Sequence, residues 1–219
     1  MNAPLPSPRR AASKTPAGWR AALLHPAAKP VAFLLGLWPF LALLYGATSD
    51  TLGANPAEAL IRSAGDWTLR FLCIGLAITP LRVWTRTPAL ARFRRMAGLF
   101  AFFYAVVHLL CYAWLDAGFD VAFIAGDIAQ RPFILVGFLA VLGLLPLAAT
   151  SFNRAVRWLG GRRWQRLHRL VYGIVLLGLL HFFWMRGGKN DFAEVAIYGA
   201  IIAVLLGWRV VRAWRAAPG

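Results

Sequence analysis

Residues 94–115 read RRMAGLFAFFYAVVHLLCYAWL, and this stretch decides the fold. Two arginines open it. Twenty residues follow in which His108 is the only basic or acidic side chain. About 20 mostly apolar residues, at ~1.5 Å rise each, make a helix as long as a bilayer's hydrocarbon core is thick. Such a helix satisfies its backbone polar groups internally, as lipid requires.

Working outward, five more apolar segments have this character: about 31–47, 67–81, 132–149, 168–185 and 195–211, with 96–115 the third of six. Segment two is short and carries Arg70. The expected fold is therefore an all-α membrane protein, a six-transmembrane-helix bundle over residues 31–211. Residues 1–30, rich in Pro and Ala, read as a flexible basic cytoplasmic tail, and 212–219 as a short second one. Arg9-Arg10 faintly resembles a twin-arginine export signal. No hydrophobic block follows it directly, and the apolar run from Val31 exceeds the ~7–15 residues of a signal peptide. Segment one therefore reads as retained. No internal repeat is legible.

Composition agrees. Of 219 residues, 60% are hydrophobic and 15% charged, against about 25% charged in soluble domains. Disorder is excluded, and two cysteines, Cys73 and Cys111, make no disulfide scaffold; they read as small apolar packers. The formal charge of +16 invites a nucleic-acid reading, but the placement of the charges removes it. The basic residues cluster before segment one, between segments two and three, between four and five, and after Arg209. None of those regions contains an acid. All eight acids, from Asp50 to Glu194, fall on the other side. A basic excess marks the cytoplasmic side, so both termini are expected there, and the charge also favours anionic membrane lipids. The expected location is a bacterial inner membrane, multi-pass, with no nucleic-acid partner.

Three of the four histidines lie in or at the ends of apolar segments, where an ionisable residue is a functional signal. His108 lies ~18 Å along segment three from its cytoplasmic entry, and His181 ~20 Å along segment five. Two histidines at matched depth on different helices can give a nitrogen to each axial position of a flat metal macrocycle, and two axial ligands favour electron transfer over oxygen chemistry. The competing reading, interhelical hydrogen bonding, suits a single histidine better. A zinc site lacks further ligands, c-type haem lacks its C-x-x-C-H, and a proton pathway lacks buried acids.

His168, at the cytoplasmic end, falls about 140° from His181 around an ideal helix, so the two need not face one site. With Arg166 and Arg169 it forms a cluster suited to a haem propionate, a flavin phosphate, a quinone head group or lipid phosphates. Arg70 either snorkels and pairs with Asp66 or meets an outer propionate. Arg94 and Arg95 read as positive-inside anchors, with Arg94 nearly on the face of His108. Aromatic residues around the histidines, among them Phe102, Tyr104, Tyr112 and Phe182, are candidate pocket walls or packing residues.

These residues carry a resemblance. The stretch from Arg94 to His108, the run Leu167-His168-Arg169-Leu170-Val171-Tyr172 continuing to His181-Phe182-Phe183-Trp184, and Thr79-Pro80-Leu81-Arg82 resemble the MsrQ (formerly YedZ) family, within the ferric-reductase-like transmembrane group. The resemblance covers about Val31 to Val211. It implies haem b, one or two, and FMN. It implies electrons from quinone/quinol or a cytoplasmic flavin reductase, passed to a periplasmic molybdopterin-containing methionine sulfoxide reductase that repairs oxidised proteins. His108, His168 and His181 are then the metal ligands, with Arg70, Arg94, Arg166 and Arg169 as further cofactor-binding candidates. The wider group often carries a fourth histidine, which falls near Arg94 here, and arginine stays protonated and cannot ligate. No residue in the chain looks able to reduce methionine sulfoxide itself, so the expectation is an electron-transfer subunit, not the substrate-reducing enzyme. The acidic stretches Asp116–Asp127 and Asp191–Glu194 are candidate docking surfaces. Two alternatives stand: a stand-alone transmembrane ferric or quinone reductase, and a cofactor-free small transporter.

Overall fold

The structure, a computed structural model, describes residues 18–187 and 190–216. The described residues are helical throughout, joined by short turns. Ten α-helices follow in order: α1 (Gly18–Leu24), α2 (Ala28–Thr48), α3 (Pro56–Trp84), α4 (Arg94–Cys111), α5 (Val121–Gln130), α6 (Pro132–Ala149), α7 (Asn153–Leu159), α8 (Gly161–His168), α9 (Leu170–Gly187) and α10 (Ala193–Arg215). A 3₁₀ turn, Pro88–Phe93, leads into α4, and a π turn, Tyr112–Asp116, extends it.

Among the described residues, five helical runs are long and apolar enough to cross a membrane: Ala28–Thr48, Pro88–Asp116, Pro132–Ala149, Gly161–Gly187 and Ala193–Arg215. They match five of the six expected segments. The sixth lies within α3, which is 29 residues long instead of a short segment but carries Arg62, Asp66, Arg70 and Arg82. Composition alone does not mark α3 as a span. Packing accounts for its polarity: α3 is the central helix, with Leu69, Leu72, Cys73, Leu76 and Pro80 buried against neighbours. The expected tail also differs. Residues 18–24 are already helical, docked by Arg20, whose Nη2 donates to the Thr85 carbonyl (2.8 Å), and by Arg92, which donates to the Leu23 carbonyl (2.9 Å). The rest of that tail, residues 1–17, lies outside the described residues. At the other end α10 runs on to Arg215.

Local chemistry sets the boundaries. Asn55 caps α3 by accepting from the Glu58 N–H, with Pro56 at the first helical position. Asp120 caps α5 through the N–H groups of Ala122 and Phe123. Pro132, which cannot continue the helix before it, starts α6. Gly160, at φ 72°, makes the break between α7 and α8.

Pro39, Pro80 and Pro146 stand inside helices, where each leaves the carbonyl four residues earlier without its usual partner, and at Pro80 a side chain from another helix fills the gap. Pro80 removes the N–H that the Leu76 carbonyl would accept from. Arg209 of α10 donates to that carbonyl instead, at 2.5 Å. Beside Pro39, the Tyr104 hydroxyl inserts into α2, donating to the Gly36 carbonyl (2.8 Å) and accepting from the Phe40 N–H (3.1 Å). Tyr104 is wholly buried and stacks on Phe71 at 5.5 Å, which stacks in turn on Phe100 at 5.0 Å.

The core consists of two helix pairs, α3 with α4 and α6 with α9. In both, the first helix runs towards the arginine-rich end, the chain turns there, and the second helix returns. α10 closes the bundle against α9 and α3, and α2 lies along α3 and α4.

Candidate functional site: two facing histidines and a basic cavity

His108 on α4 and His181 on α9 face each other, with ring centroids 6.0 Å apart and ring planes at 80°. Each ring is held from behind by the other helix of its pair. His108 Nδ1 lies 2.8 Å from the Ile61 carbonyl on α3, and His181 Nδ1 lies 2.7 Å from the Phe133 carbonyl on α6. A carbonyl only accepts, so Nδ1 carries the proton in both rings. Both Nε2 lone pairs are left for a ligand role. Glycine backs each ring. A Cβ on Gly65 would sit 3.1 Å from His108 Nδ1, and one on Gly137 only 2.8 Å from His181 Nδ1. Each glycine is four residues after the residue whose carbonyl holds the ring. The same unit of carbonyl, glycine and histidine therefore occurs twice, once in each pair.

The spacing suits a metal between the rings. Metal–imidazole bonds are about 2.0–2.1 Å, and adding roughly 1.1 Å from nitrogen to ring centre on each side gives about 6.2 Å between centroids. The 6.0 Å observed is close to this spacing. No group of three or more His, Cys, Asp or Glu residues is placed to hold a metal ion among the described residues. That favours a metal bringing its own equatorial ligands, as haem does.

His168 sits elsewhere. The helical run breaks at Arg169, between α8 and α9, and His168 lines a separate cavity of about 300 Å³ near the arginine-rich end. Its ring stacks on Trp164 at 3.9 Å, and its Nε2 lies 3.1 Å from Thr150 Oγ1. The Thr150 hydroxyl donates to the Pro146 carbonyl at 2.6 Å, so Oγ1 accepts from His168 Nε2–H. That nitrogen is thus engaged. Arg94, Arg95 and Arg209 line this cavity, while Arg166 and Arg169 are exposed and do not.

Arg70 does not pair with Asp66. Its Nε donates to the Tyr198 hydroxyl (3.0 Å), and its guanidinium lies over Trp67. Of the aromatic residues near the histidines, Phe183 and Trp184, which follow His181, are exposed on the bundle surface, and Tyr104 serves α2 as described. The two acidic stretches are partly occupied. Asp127 is buried, accepting from the Tyr112 hydroxyl and paired with Arg131, and Asp191 and Glu194 both hold Arg186.

Sequence reasoning missed several of these residues. Arg186 is a buried cation at the end of α9, also over Phe182, and was readable as a lone arginine after a span. Arg209 reads in the sequence as one of the terminal charges although it lies inside segment six. Gly65 and Gly137 gave no signal because they work by close approach to rings on other helices, and Thr150 gave none because its hydroxyl meets a histidine on another helix.

Helix pairs presenting opposed histidines inside a multi-pass bundle define a class of membrane redox component, and the family model described as a ferric reductase like transmembrane component matches residues 64–179. Similar relatives are each named protein-methionine-sulfoxide reductase heme-binding subunit MsrQ. That of Polaromonas naphthalenivorans (strain CJ2) is 68% identical over 92% of both chains. That of Ralstonia nicotianae is 55% identical over 84% of this chain and 85% of its own, and that of Bordetella pertussis 52% identical over 85% and 90%. The chain belongs to the MsrQ family. No solved structure matches it.

Proposed function

We propose that this protein is the haem-binding, electron-carrying membrane subunit of a protein-methionine-sulfoxide reductase system. The observation that carries the reading is the pair of opposed, carbonyl-anchored imidazoles 6.0 Å apart. His108 and His181 would hold a b-type haem, which would supply one-electron transfer when bound. The chain would then carry electrons and leave reduction of the oxidised methionine to a partner. The names of the relatives support a methionine sulfoxide reductase as that partner, and we place it, molybdopterin-containing, on the periplasmic side.

The basic cavity is the proposed entry point. Arg94, Arg95 and Arg209 supply cationic donors for the anionic or carbonyl oxygens of a quinol or a reduced flavin, FMN included, and His168 lies at its wall. Ligation by His168 Nε2 requires Thr150 to let go. One bis-histidine haem is therefore the stoichiometry the side chains support best. In the inner-membrane orientation that the basic loops favour, this cavity faces the cytoplasm.

The test is spectroscopic. Protein purified in mild detergent should show a Soret band and, on reduction with dithionite, sharp α and β bands. His108→Ala and His181→Ala should each abolish this low-spin signal. His168→Ala should retain it and slow reduction by quinol or reduced flavin. A colourless protein after haem supply, or loss of all haem on His168→Ala, would overturn the assignment. The family description as ferric reductase like favours one competitor, a stand-alone ferric reductase. Turnover of that competitor would proceed without a periplasmic molybdoenzyme.

A further inference from the structure

A second cavity, of about 360 Å³, lies between α2 and α4 at the arginine-rich end. Phe33, Leu37, Leu99 and Phe103 are among its apolar walls, and Lys29, Arg92 and Arg95 are its charged residues. No acid lines it. Phe33 and Leu99 are 49% and 40% exposed, so the slot opens sideways onto the bundle surface, where lipid tails lie. Arg92 and Arg95 have neutral partners, the Leu23 carbonyl and Asn153 Oδ1, and keep further N–H donors.

We propose that this slot binds one anionic phospholipid, with its phosphate among Lys29, Arg92 and Arg95 and the upper part of one acyl chain along Phe33, Leu37 and Leu99. Each half of the site selects for part of such a molecule. Three cations without a carboxylate prefer an anionic head group over a zwitterionic one. An apolar slot open to the side admits a flexible chain entering from the bilayer. A rigid macrocycle finds no histidine there. This inference is independent of the haem reading.

Native mass spectrometry of the full chain in mild detergent provides the test, with phosphatidylglycerol, phosphatidylcholine and inorganic phosphate as separate probes. One phosphatidylglycerol should be retained at concentrations at least tenfold below those needed for phosphatidylcholine. Millimolar inorganic phosphate should not displace it. Lys29→Gln and Arg92→Gln should each weaken retention about fivefold. Leu99→Trp, which fills the slot without touching a charge, should weaken it as well. Arg92 also anchors α1, so Lys29→Gln serves as the cleaner variant. Equal retention of the two lipids, displacement by phosphate alone, or unchanged retention in both Lys29→Gln and Leu99→Trp would overturn the proposal.

Discussion

At the scale of single residues, the two glycines behind the histidines carry the most specific consequence. A methyl group on Gly137 cannot coexist with the present His181 ring, and one on Gly65 presses His108. Gly137→Ala should therefore turn His181 off the Phe133 carbonyl and weaken haem retention by about 10–100-fold, the usual cost of losing a ligand's supporting bond. Gly98→Ala is the matched control, since a Cβ there meets nothing within 4 Å. Haem content per chain, read from the reduced spectrum, checks both. The 80° angle between the rings makes a second prediction: the ferric low-spin electron paramagnetic resonance signal should be the large-gmax type of crossed imidazoles, and a rhombic spectrum would mean that the rings rotate on binding. His108 and His181 were legible in the sequence because each stands alone deep in an apolar run. Their supports were not, because a backbone carbonyl has no residue-type signature.

At the scale of the helix, the long apolar runs gave the elements away, but their length and internal breaks depended on neighbours. The short second segment lies in the longer α3, where Arg62 pairs with Glu58, Arg70 is held by Tyr198 and Trp67, and Arg82 is exposed near the helix end. Pro80 stands in the sequence as a breaker, while the side chain that fills its gap comes from α10, and the hydroxyl that enters α2 beside Pro39 comes from α4. Tyr104→Phe should leave the Gly36 carbonyl and Phe40 N–H unpaired inside α2 and cost about 1–3 kcal/mol. Thermal unfolding followed by helical circular dichroism should show a lower midpoint, whereas the haem spectrum should be unchanged, because the hydroxyl serves α2 and not the histidines. An unchanged midpoint would mean that the backbone of α2 closes the gap on its own.

At the scale of the whole molecule, the arrangement of the arginines decides orientation. The basic turns of both helix pairs and the basic end of α10 lie at one end of the bundle, and the acids Asp50, Asp116 and Asp120 lie in the connections at the other. Alkaline phosphatase fused after Gly219 should be inactive, and fused within the connection between α4 and α6 it should be active. The reverse pattern would invert the proposed direction of electron flow. That the chain turns twice in the same sense, each time presenting a histidine, was not legible as a repeat. The likeness lies in a carbonyl, a glycine and a ring, with unrelated side chains around them.

That doubled unit bears on how the protein is made. Each histidine ring is bonded to a carbonyl from its own half of the chain, Ile61 for His108 and Phe133 for His181. If both rings hold the haem as proposed, its insertion would act as a rivet between the two helix pairs, and a chain truncated before α9 should reach the membrane yet remain uncoloured.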